Sequence, residues 1–95
     1  MDFVFEGELI EWRGPAPYFF VAVPEQVARE IRDLSAQLSY GWGVIPARVT
    51  SGRTTITTSL FPKNGGYLVP TKNSLRQPEN LVLGQIVSLT LSFAV

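Results

Sequence analysis

Residues 44–69 read VIPARVTSGRTTITTSLFPKNGGYLV, and this stretch decides the fold. Asn64-Gly65 stands between two β-prone runs. It suits a two-residue type I′ hairpin, whose central positions both need positive φ. Upstream, residues 53–61 are dense in threonine, with Ile56, Thr58 and Leu60 on one face, and Gly66-Tyr67-Leu68-Val69 is the returning strand. Ser51-Gly52 is a second tight-turn signal. It joins residues 53–61 to an earlier strand over 44–50, where Pro46 has no N–H for a ladder and belongs at an edge or bulge. The stretch therefore predicts a three-stranded antiparallel meander.

Working outward, the same two-residue period recurs. Residues 2–12 form a strand with Phe3, Phe5 and Leu9 on one face and Glu6 and Glu8 on the other. In residues 85–93, Val87, Leu89, Leu91 and Phe93 alternate with Ser88, Thr90 and Ser92, so one side is buried and the other wet. Tyr18-Phe19-Phe20-Val21-Ala22-Val23 is continuously apolar, as a strand covered on both faces would be. Gly14-Pro15-Ala16-Pro17 before it enforces a corner.

The period changes once. Val27, Ile31, Leu34 and Leu38 recur every three or four residues, which predicts one amphipathic helix over about 24–39. Pro24 suits its first turn, and Gly41 is placed to end it in the left-handed conformation. Glu25–Arg29 and Arg29–Asp33 are i,i+4 pairs on its exposed side. Residues 71–77 have no period and suit one helical turn. About six short strands separated by proline and glycine corners predict a mainly β fold, a small closed or partly open barrel with the helix across one opening. Ninety-five residues make a single domain, 1–95, able to bury roughly 65% of its unfolded surface.

Composition excludes much chemistry. The chain has no cysteine and no histidine. Thiolate metal sites, disulfides and a cysteine nucleophile are ruled out, and the commonest general base and metal ligand are missing. Net charge is zero and the pI is about 6.2, so no strongly basic surface for nucleic acid is expected. The first 33 residues hold seven acids and three arginines, whereas the rest holds five cations and Glu79. No apolar run approaches a membrane span, and the acidic start does not suit a signal peptide. A cytoplasmic protein is expected.

Several of these segments resemble one family. They are Arg13-Gly14-Pro15-Ala16-Pro17-Tyr18-Phe19-Phe20-Val21, Val23-Pro24-Glu25, Tyr40-Gly41-Trp42-Gly43-Val44-Ile45-Pro46, Thr58-Ser59-Leu60-Phe61-Pro62-Lys63, and Gly66 to Lys72. Arg76 and Leu83-Gly84-Gln85-Ile86-Val87 complete the set. In that order they resemble the bacterial "domain of unknown function 1905" family. The resemblance implies a small closed barrel and assigns no activity. The family pattern favours an aspartate where this chain has Gln85.

Five groups of residues are candidates for function. Arg13, Ser59, Lys72 and Arg76, with Trp42 nearby, combine cations and hydroxyls that suit a small anion; the alternative is that the arginines cap loops and cover apolar surface. Lys63-Asn64-Gly65-Gly66 is glycine-rich beside a lysine, but it lacks phosphate-loop spacing and a hairpin tip explains it. Glu6, Glu8 and Glu11 can be paired carboxylates or a solvated strand face. The aromatics Phe3, Phe5, Trp12, Tyr18, Phe19, Phe20, Trp42 and Phe61 can stack bases. They are not interleaved with lysine and arginine in sequence, so a buried core is expected for most. Ser59 would need Lys72 as a base, since no histidine is present.

Three functions follow. The first is a non-catalytic module for a small anionic ligand or a protein partner, with a homodimer compatible with it and no cofactor or metal. The second is a small enzyme using Ser59, Lys72 and arginine. The third, disfavoured by the charge balance, is a nucleic-acid-binding barrel.

Overall fold

A computed structural model describes residues 1–12, 18–38 and 45–93. Six strands run in the order β1 (Asp2–Trp12), β2 (Tyr18–Ala22), β3 (Ile45–Ser51), β4 (Thr54–Lys63), β5 (Gly66–Pro70) and β6 (Ile86–Ser92). Two helices interrupt them, α1 (Glu25–Leu38) between β2 and β3, and α2 (Asn73–Arg76) between β5 and β6. The strands close in the spatial order β1-β2-β5-β4-β3-β6, each neighbour antiparallel. The sheet is a closed barrel, so of the two geometries the sequence allows, the closed one forms.

The meander forms as expected. Thr57 lies opposite Arg48 and Lys63 opposite Gly66. Asn64 and Gly65 have φ of 52° and 80°, the two left-handed positions of the I′ turn. Pro46 pairs with Ser59 on β4, while β3 reaches β6 only from Arg48 onward. The proline thus sits where one side of its strand has no ladder to lose.

Alternation fixes the inside. Phe5, Leu9, Val21, Val49, Leu60, Val69, Leu89 and Leu91 point inward and are buried. Gly7 also faces inward; a Cβ there would lie 2.5 Å from Val21 Cγ1. β1 is the longest strand and is shared, its first part paired with β6 and its last four residues with β2.

The strand Tyr18–Ala22, expected to be covered on both faces, is covered so only at its middle; Tyr18 and Ala22 on its outer face are exposed. Val21 is 0% exposed inside, and Phe20 is 4% exposed although it belongs to the outer face and not to the core cluster. Phe61 packs edge-on against Phe20, with ring centroids 6.0 Å apart.

α1 seals the barrel end where β2 leaves and β5 begins. Its contact differs in detail from the stripe read in sequence. Ala28 and Ile31 are the buried pair, Val27 packs at the margin, and Leu34 is only half-buried. The side chain of Leu38, the last member of the expected stripe, lies outside those described. Arg29 pairs with Glu25 at 2.8 Å and not with Asp33. α2 is the helical turn expected within 71–77, and its Leu75 is fully buried.

Candidate anion pocket and cationic groove

Arg76 sits on α2 at the barrel end opposite α1. Its guanidinium carbon lies 3.9 Å from the Phe19 ring centroid, and its Nε donates to the Thr71 carbonyl at 2.8 Å. Stacking and one hydrogen bond hold the plane of the fork and leave its Nη groups without a hydrogen bond among the described residues. An arginine fixed in this way can accept a carboxylate or phosphate edge-on with little further ordering.

The backbone that places it is continuous with the sheet. Thr71 N–H donates to the Phe19 carbonyl at 2.8 Å, and the first turn of α2 bonds back to the Lys72 carbonyl. Tyr18, Phe19, Pro70, Thr71, Lys72 and Arg76 line a hollow of about 100 Å³. Thr71 is 2% exposed, and its Oγ1 has no hydrogen-bond partner among the described residues. A buried hydroxyl without a partner is uncommon and calls for an explanation.

Of the five residues expected to form an anion site, the structure brings Lys72 and Arg76 together in this hollow. Lys72 Nζ donates to the Thr57 carbonyl at 2.8 Å. Ser59 lies on the outer face of β4 one pleat further along, and no hydrogen bond joins it to Lys72. A Ser59–Lys72 nucleophile pair is therefore not assembled. Arg13 and Trp42 lie outside the described residues, as do the Gly14–Pro17 corner and Gly41. Thr71 was not singled out by its sequence; it sits in an aperiodic segment between Pro70 and Lys72.

The Lys63-Asn64-Gly65-Gly66 tip is a hairpin turn, and it also forms one wall of a second, larger space. This groove of about 660 Å³ runs between α1 and the β4–β5 hairpin, with Arg29, Arg32 and Lys63 at its rim and Phe20, Ala22 and Leu68 on its floor. Arg32 donates to the Gly65 carbonyl and ties the helix to the turn. Lys63 Nζ lies 4.1 Å from the centroid of the Trp12 ring. These residues are three strands apart in the order β1-β2-β5-β4; the twist of the sheet brings the diagonal together. Another hollow, of about 430 Å³ beside Ala47 and Phe93, has Arg48 as the charged residue among its described lining.

The carboxylates separate. Glu6 and Glu8 are exposed on the outer face of β1, whereas Glu11 belongs to the opposite face. Among the described residues no three histidine, cysteine or acidic side chains converge on a metal-sized site. No helix among them is long and apolar enough to cross a membrane.

The geometry defines a class: a closed six-stranded antiparallel barrel with a positively charged hollow at one end. Residues 5–91 match the family model described as "Domain of unknown function (DUF1905)", and the chain belongs to that family. No curated protein and no solved structure shows a significant match to it.

Proposed function

We propose that residues 1–95 act as one non-catalytic binding domain whose hollow at Thr71, Lys72 and Arg76 takes a small carboxylate or phosphate group. The observation that carries this reading is the Thr71 hydroxyl, 2% exposed and unpartnered beside a guanidinium already oriented by Phe19. An anion oxygen there would accept from the hydroxyl and from the Arg76 Nη groups together. The space of about 100 Å³ suits a group of a few heavy atoms. The missing histidine and cysteine, with Ser59 left without a base, support binding over catalysis. A chain free of cysteine fits a cytoplasmic setting.

Titration of the isotope-labelled protein with inorganic phosphate and with acetate tests this. Amide shifts centred on Phe19, Thr71 and Arg76 are expected, saturable in wild type and lost in Arg76→Gln. A wild-type spectrum that does not move, or an Arg76→Gln spectrum that titrates like wild type, overturns it.

A further inference from the structure

We propose that the outer face joining the two cationic regions is a track for short single-stranded nucleic acid, with the hollow at Arg76 receiving one of its phosphates. The inference rests on the anion reading above and extends it to a polymer.

The track is assembled across strands. Trp12 and Tyr18 are register partners on β1 and β2, and they are 46% and 59% exposed. Directly opposed residues on paired strands hold their side chains side by side, so two large rings stand together in water. That is costly for a surface with no partner, and it is the arrangement on which successive bases stack. Lys63 lies over the Trp12 ring. On the other side, Tyr18 shares the lining of the small hollow with Lys72 and Arg76. The order along the face is thus the groove rim with Arg29 and Arg32, then Lys63, Trp12 and Tyr18; the track ends at the barrel rim, where Tyr18 meets Lys72 and where Arg76 stacks on the inward-facing Phe19.

This surface gathers five of the eight lysines and arginines in the chain. The acid that lines the groove is Glu25, which is bonded to Arg29. Glu8 lies on the outer face of β1 beyond Ile10, Glu11 faces the other side of the sheet from Trp12 as the register partner of Phe19, and Glu30 and Asp33 are not part of the groove lining. A neutral molecule therefore carries one locally positive face, and that face is where the exposed aromatics lie. Alternation of cations and rings is what a sequence-tolerant single-strand site requires. A duplex, whose bases are already stacked, would leave the rings unused.

Anisotropy of labelled oligothymidylate and oligouridylate, compared with a duplex of equal length, tests the track. Wild type is expected to bind one or both single strands, more weakly as salt rises, and the duplex at least about tenfold more weakly. Trp12→Ala and Tyr18→Ala should each weaken single-strand binding by about tenfold, while Trp12→Phe retains it and shows that the strand still folds. Trp12→Ala, which lies outside the lining of the hollow, should still titrate with inorganic phosphate. If phosphate binds but single strands do not, or if the alanine variants bind strands like wild type, the track is wrong and the anion hollow stands. If neither phosphate nor strands bind, both readings fall.

Discussion

A threonine hydroxyl taken from water without a partner costs about 1–3 kcal/mol, and Thr71 Oγ1 is such a group. Thr71→Val keeps the shape and removes the unpaired group. The variant should be as stable as wild type or more stable, by up to about 1 kcal/mol in urea denaturation, while its response to phosphate weakens. Loss of stability would show that the hydroxyl already has a partner. Gly7 is the opposite case. A methyl group at this inward position meets Val21 Cγ1 at 2.5 Å and the Ala22 carbonyl at 3.3 Å. Gly7→Ala should cost about 1–3 kcal/mol through overpacking, read from the urea midpoint. Neither behaviour is written in the local sequence. Thr71 has no periodic context, and Gly7 interrupts an otherwise ordinary strand pattern.

Elements were legible wherever a period or a turn type constrains the backbone. The two-residue alternation of β6 fixes its inner face, and Asn64-Gly65 fixes the β4–β5 turn, because few other dipeptides tolerate two positive φ values. The helix was legible as a helix, and Val27 and Ile31 of its expected stripe meet the core, but the buried Ala28 was not foreseen and Leu34 is only half-buried. A period of 3.6 gives the apolar arc, while the angle at which the helix crosses the barrel selects the residues within it. Ile31→Ala should therefore cost about 2–5 kcal/mol as a cavity in the sealed end, and Leu34→Ala distinctly less, in thermal or urea unfolding. Equal losses would mean that both side chains fill the core. The β3–β4 turn has its own tether. Glu79 accepts from the Thr54 hydroxyl at 2.6 Å and from the Arg53 N–H at 3.3 Å, linking the segment after α2 to this hairpin. Glu79→Ala should loosen the Thr54 region first, seen as faster amide exchange there than in β6.

At the scale of the whole molecule, the aromatic and cationic residues meet only because the barrel is twisted and closed. Lys63 and Trp12 are remote in sequence and three strands apart in the sheet, yet they touch. Their proximity depends on three registers at once, and a linear reading finds aromatics and cations in separate segments. The same holds for Lys72 and Arg76, whose shared hollow depends on Phe19 from another strand. Cations could be nominated as anion ligands by their chemistry. Which of them converge was decided by topology.

Barrel closure also sets a timetable. β1 forms its longest ladder with β6, from Asp2 opposite Ser92 to Glu8 opposite Ile86, and the Phe93 N–H bonds to the Met1 carbonyl. On a ribosome, β1 emerges first and must wait for almost the entire domain to be translated before that partner exists. At roughly 5–20 residues per second, its Phe3 and Phe5 spend several seconds unpaired and available to chaperones or to a neighbouring nascent chain.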